Sequence, residues 1–228
     1  MKKIVSLAII IAFAASYAFA QKNENDRIRA AGDVIVAILN VPENIPQDLL
    51  DKAECVIIMP SVKKFAFGFG GSYGRGIMTC RSGPNFNGPW SAPTMMALEG
   101  GSFGFQLGGQ ATDFVLLVMN RAGAKSILSS QVKLGGDMSV AAGPVGRSAA
   151  ASTDIAMRAQ ILSYSRSRGL FAGVSLAGST LRPDNSGNEK LYGKNVSGED
   201  IVINSKIQPP ASARLLLSTL DRKSPKHK

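Results

Sequence analysis

Apolar residues first recur at helical spacing where Ile28, Ala31, Ile35, Ile38 and Leu39 fall on one face, and Pro42 must end that helix. A second short helix is predicted over 45–50, with Pro46 in its first turn. Residues 55–59 form a continuous apolar run that Pro60 interrupts, the pattern of a buried strand. From Phe65 onward strand formers alternate with glycine at a density no helix tolerates, and 12 of the chain's 24 glycines lie between Gly68 and Gly109. Glycines inside strands mark bulges and sharp bends, so this half predicts strongly curved antiparallel strands. Further strands are predicted over 95–98, 103–107, 114–119 and 138–142, with a short helix over 122–128 between the last two. Residues 160–176 read as strand, turn, strand, with the turn at Arg166, Ser167, Arg168 and Gly169. Residues 183–187 read as a loop and 210–220 as a closing helix.

Together these elements predict an α+β fold. Curved antiparallel sheets form a sandwich or a partly closed barrel, with short helices at both chain ends.

The first twenty residues stand apart from this pattern. Lys2 and Lys3 precede an apolar stretch over 4–15, and Ala18-Phe19-Ala20 supplies small residues ahead of Gln21. That is the form of a secretory signal peptide, and the apolar run is shorter than the ~20 residues a membrane span needs. The expected organisation is a signal peptide over 1–20, one domain over 21–221 and a basic flexible tail over 222–228. The expected location is the periplasm or the exterior, in peripheral association with a membrane.

Export changes how the remaining chemistry is read. The chain after residue 20 holds 24 basic and 16 acidic residues, an excess of eight, which favours anionic partners. Between Cys55 and Gly136 the only acids are Glu99 and Asp113, against seven basic residues. The two cysteines, Cys55 and Cys80, can oxidise outside the cytoplasm. However, a hairpin turning at Ser61-Val62 would set Cys55 against 67–69, which leaves buried free thiols as the alternative.

Catalytic signatures are thin. The sole histidine, His227, lies in the tail, so neither a zinc site nor a Ser-His-Asp triad is expected. Gly-x-Ser-x-Gly occurs around Ser72 and Ser102, though neither copy has the strand-to-helix context of a nucleophile elbow. Glu99 and Asp113 read first as surface or edge-strand charges rather than an acid–base pair. Residues 143–147 read as an interstrand turn before an anion-binding loop. No nucleotide or cofactor motif is present, so no catalytic residue, cofactor or metal is assigned. Basic pairs remain: Arg27 and Arg29 at the first helix, Lys63 and Lys64 between two predicted strands, and Arg166 and Arg168 at the hairpin turn. Nucleic acid is a poor partner for them, because export removes it and stacking aromatics are few.

Four segments carry a resemblance. Residues 49–60 lead to Gly70-Gly71-Ser72-Tyr73-Gly74-Arg75-Gly76; then come Trp90-Ser91-Ala92-Pro93, Gly104-Phe105-Gln106-Leu107-Gly108, and 142–146 leading to 164–175. In this order they resemble the SYLF domain family, whose eukaryotic members bind phosphoinositide membranes and in fungi also bind actin. The resemblance implies a lipid-binding domain in which an N-terminal amphipathic segment, here 26–39, contributes to membrane contact with Arg27 and Arg29 facing phosphate. Asp33 shares that helix and thins its basic face. For an exported chain the implied partner is an anionic phospholipid or lipopolysaccharide surface, approached by Arg27, Arg29, Lys63, Lys64, Arg166 and Arg168. The alternative is a structural or protein-interaction module of the envelope, a homo-oligomer or a partner of an envelope protein, without lipid affinity.

Overall fold

In the computed structural model, which describes residues 23–42, 44–67, 69–102, 110–146, 158–167 and 170–225, the core is one curled, mixed sheet forming a half-barrel. Its strands are β1 (Cys55–Phe67), β2 (Phe69–Cys80), β3 (Thr94–Ser102), β4 (Gln110–Val118), β5 (Val132–Lys133), β6 (Val140–Ala142), β7 (Ile161–Ser167), β8 (Leu170–Gly173) and β9 (Ser179–Pro183). They run in the order β5-β9-β3-β2-β1-β4-β7-β6, with β8 paired to the distal half of β7. Among the described strands, the pairings are antiparallel except β6 with β7. The helices are α1 (23–39), α2 (Gln47–Lys52), α3 (Arg121–Ser129), α4 (Asn185–Tyr192), α5 (Gly198–Val202) and α6 (Arg214–Lys223).

Period-two alternation explains why both sheet faces are covered. Cys55, Ile57 and Met59 of β1 pack with Leu116 and Val118 of β4 and with Ile127 and Leu128 of α3. Val56 and Ile58 point the other way, to Ile28, Ile35 and Ile38 of α1 and Leu216 and Leu220 of α6. Strands buried on both faces read as unbroken apolar runs, as 55–59 and 114–118 do. The helical stripe read from the sequence is therefore the inner face of α1. The two terminal helices also touch each other: the Ser212 hydroxyl, just ahead of α6, donates to the Asn25 side-chain oxygen at 2.6 Å, and Gly32 lies against Leu215 and Leu216.

Pro60 does not end its strand. β1 continues to Phe67 across a bulge, with register shifts between Ile58 and Lys63 and between Met59 and Val62, and Ser61 sits at φ 51°. A bulge is where a strand tolerates a residue without an amide proton. The Ser61 amide, released from the ladder, donates to the Asp113 carboxylate at 2.9 Å. The glycines of β2 receive the bulge: Cβ atoms at Gly74 and Gly76 would collide with Val62 and with Ile58 and Met59.

This bulge corrects the predicted hairpin. Its turn lies past Phe67 instead of at Ser61-Val62, so Cys55 pairs with Cys80 in register and the two form a disulfide with Cα atoms 3.9 Å apart. Lys63 and Lys64 are accordingly inside β1, not between strands. Arg166 likewise lies within β7, whose hairpin reverses after Ser167. Within 183–187, read as a loop, α4 begins at Asn185 and runs on to Tyr192, because the Asp184 carboxylate accepts from the Gly187 amide and caps the helix. The predicted 122–128 helix is α3, the closing helix is α6 after a 3-10 turn at Ala211–Ala213, and the 103–107 strand lies outside the described residues.

Candidate functional site

Strand directions place several predicted groups at one end of the sheet. β1, β3 and β7 run toward this end, and β2, β4 and β8 return from it. Lys63 is exposed and lies opposite Tyr73 on β2 and Ala111 on β4. Lys64 follows, opposite Ser72 and Gln110. Two strands away Arg166 pairs in register with Asp113, its guanidinium 3.7 Å from that carboxylate. Ser167 and Leu170 form the last pair of the β7–β8 hairpin, and Leu170 is 78% exposed. Arg168 lies outside the described residues, as do 1–22 and His227. On the same row as Lys63 and Tyr73, farther across the sheet, stand Glu99, Thr180 and Lys133; Arg182 donates to Glu99 at 2.6 Å. Among described strand positions at this end, Lys63, Lys64, Lys133, Arg166 and Arg182 outnumber Glu99 and Asp113.

Arg27 and Arg29 are placed elsewhere. Arg29 donates to Asp26 one turn back, at 2.6 Å, on the exposed side of α1. Arg27 is paired with Glu24, whose side chain is only 2% exposed. Arg75 of β2 completes this group: it lies 3.6 Å from Glu24 and its Nε donates to Asp184 at 2.7 Å. Burial, and then the charge of Arg75, hold the Arg27 guanidinium below its ordinary value. Burial pushes the Asp184 carboxyl up, but the hydrogen bonds from Arg75, Gly187 and Ser186 and the charge of Arg75 outweigh it and hold the carboxyl below its ordinary value. A cavity of about 450 Å³ opens beside Asn23, Arg27, Ser61, Arg75 and Lys190, with the α1 N-terminus on one side and the β1 bulge on the other.

Nothing in the sequence singled out Arg75 as the centre of this network. Its partners lie 51 positions before and 109 after it, and ion pairs at such separations leave no local pattern. The apolar face of the predicted contact helix is occupied by the core, with Ile28, Ile35 and Ile38 fully buried.

The other chemical motifs are structural where they are described. Ser72 is within β2, away from any helix start, and its hydroxyl reaches the Gly100 carbonyl at 3.4 Å. Glu99 and Asp113 are on β3 and β4, with β2 and β1 between them, and each faces an arginine. The Gly143 amide donates to Ser163 and the Gly146 amide to Asn44, so this turn ties β7 to the loop after α1. Among the described residues no acid, cysteine or histidine group is arranged to hold a metal ion, and no helix is long and apolar enough to cross a membrane.

The family described as "Ysc84: Las17-binding protein actin regulator" matches residues 99–223. The chain is 35% identical over 190 residues to LAS seventeen-binding protein 3 of Saccharomyces cerevisiae, covering 82% of this chain and 40% of that protein. It is 35% identical over 184 residues to SH3 domain-containing YSC84-like protein 1 of Bos taurus and 34% identical to the Homo sapiens protein of that name, covering 80% of this chain and 52% of each. The chain thus spans from two fifths to about half the length of these curated relatives.

Proposed function

The chain belongs to the Ysc84 family, whose domain is also called SYLF, and from that premise we propose that it is a non-enzymatic binding module that associates with anionic lipid surfaces of the periplasm or cell envelope. The relatives are named as binding or regulatory proteins. The observation that carries the lipid reading is the basic, acid-poor end of the sheet, where Lys63, Lys64 and Arg166 stand beside hairpin ends. Each basic group near an anionic surface contributes about 1 kcal/mol, so three to five acting together hold the chain there at modest salt. Arg168 belongs to the same reading by its place in the sequence. Arg27, Arg29 and Arg166 contribute less than Lys63 and Lys64, because Glu24, Asp26 and Asp113 already pair with them. Two features support export: the signal-peptide pattern over 1–20 and the disulfide between Cys55 and Cys80, a bond that persists in oxidising compartments.

Co-sedimentation of the mature chain with phosphatidylglycerol and with phosphatidylcholine vesicles, at low and raised salt, tests the reading. Binding is expected on the anionic vesicles and should weaken with salt. Lys63→Ala with Lys64→Ala should lower affinity roughly tenfold while leaving the melting temperature unchanged. Equal recovery on both lipids, indifferent to salt, sinks the reading, and a stable oligomer without vesicle affinity favours a protein-interaction module instead.

A further inference from the structure

The cavity beside the β1 bulge, about 450 Å³ in volume, does not include Lys63, Lys64 or Arg166. Local sequence builds it. Pro60 sits where the strand bulges and Ser61 leaves the ladder, and the Gly74-Arg75-Gly76 run lets that bulge lie against β2, since a Cβ at either glycine would collide with it. Arg75, between those glycines, is thereby brought to the same cavity as Ser61, while α1 supplies Arg27 and α4 supplies Lys190. The charges are layered. The side chains of Glu24 and Asp184 are 2% and 7% exposed, whereas those of Arg27 and Arg75, which pair with them, are 19% and 24% exposed. Buried carboxylates thus hold the two guanidiniums in place while the guanidiniums meet solvent. Asp26, also on the rim, is paired with Arg29. Lys190 is exposed and, among the described residues, has no ion-pair partner.

We infer that this cavity binds a phosphate group carried on a small polar molecule, with Arg27, Arg75 and Lys190 as its cationic contacts and the Ser61 hydroxyl as a further donor. Phosphate presents several acceptor oxygens at once, which suits two guanidinium forks bidentately and an ammonium as a point charge. Donors remain for it: a guanidinium has five N–H groups, and Arg27 meets Glu24 through Nη1. The two arginines also repel each other. After burial, the charge of Arg75 is what lowers the Arg27 guanidinium from its ordinary value, and an anion between the two relieves that repulsion. The first turn of α1, the positive end of a 17-residue helix over 23–39, lines the same wall. The volume falls within the range of about 300–1,000 Å³ usual for small-molecule sites, so the phosphate has room for a polar substituent of the size of glycerol. A soluble phosphate ester and a lipid headgroup offer the same chemistry. The site is separate from the basic sheet end, so it stands whether or not the chain binds vesicles.

Calorimetric titration of the mature chain with glycerol 3-phosphate, at constant ionic strength and with chloride as the reference anion, tests the site. Saturable binding at one site per chain is expected. Lys190→Ala should lower that affinity roughly tenfold, the loss of one charge-assisted contact, and Arg27→Lys should lower it several-fold by removing the fork while keeping the charge. Lys190 is exposed, so its replacement leaves folding intact, and Lys125→Ala on α3, which packs on the other face of the sheet, should bind as wild type. Phosphatidylglycerol vesicles identify the source of the phosphate. Release of the chain from vesicles by glycerol 3-phosphate, together with weaker vesicle binding by Lys190→Ala, assigns the site to a lipid headgroup; binding of glycerol 3-phosphate with no effect of ligand or variant on vesicle binding assigns it to a soluble ester. No saturable binding of glycerol 3-phosphate, or binding that Lys190→Ala and Arg27→Lys leave unchanged, overturns the site. Failure of the wild type to bind vesicles while it binds glycerol 3-phosphate overturns the lipid reading and supports the soluble ester.

Discussion

Gly76 lies so close to Ile58 across the β1–β2 pair that a Cβ on the glycine would stand 2.0 Å from the Ile58 carbonyl oxygen. The obstacle is backbone, so no rotamer change relieves it. Gly76→Ala should therefore destabilise by about 3 kcal/mol, as overpacking at a rigid site does. In the same strand a Cβ at Gly71 meets nothing nearer than the Gly100 carbonyl at 3.8 Å, so Gly71→Ala should leave stability nearly unchanged. Urea unfolding of the two variants checks the contrast, and equal losses would mean that the bulge does not fix the register.

Arg75 neutralises two carboxylates that the fold has removed from water, Glu24 and Asp184. Arg75→Ala should cost about 3 kcal/mol near neutral pH, because it strands buried charge while Arg27 still serves Glu24. The pH dependence has a definite sign. The Asp184 carboxyl is held low in the folded state, so its contribution is present above the ordinary carboxylate value near 4 and lost as pH falls through the folded value. Without Arg75, that carboxyl loses the hydrogen bond and the charge that chiefly oppose its burial. The stability gap between wild type and Arg75→Ala should narrow in acid, and a gap constant from pH 7 to pH 3 would contradict the network.

Cys55 and Cys80 enclose a segment with a sequence separation of 25, which includes the whole β1–β2 hairpin. Constraining a loop of that length in the unfolded chain stabilises by about 3 kcal/mol. Cys55→Ala with Cys80→Ala should lower the denaturant midpoint accordingly while keeping the far-ultraviolet spectrum, because the bond joins the terminal pair of a ladder that continues from Val56–Thr79 to Phe67–Phe69. Reductant should lower the wild-type midpoint and leave the double variant unaffected.

The sequence revealed elements whose determinants are local. The β7–β8 hairpin was legible because strand formers flank an Arg-Gly turn, and α1 was legible from its apolar stripe. The length of β1 was not, since Pro60 usually stops a strand and only the long-range partners of the bulge, Gly74, Gly76 and Asp113, make it tolerable. Asp184 was hidden in a Pro-Asp-Asn-Ser-Gly run whose composition suits a turn as well as a helix cap. The basic residues of the candidate site could be named from the sequence, but their strand positions follow from the β1 register, which the bulge determines.

The contact between α1 and α6 also governs the order in which the chain can mature. During synthesis α1 emerges before the sheet, yet part of the surface it packs on, including Ala213, Leu216 and Leu220, is made only after every described strand. Until these arrive, one whole face of the sheet has an incomplete cover, and its apolar residues are open to any neighbour, including another nascent copy. High contact order of this kind slows folding and lengthens the interval in which aggregation competes. Val56, Ile58 and their neighbours therefore stay partly uncovered until α6 closes over them.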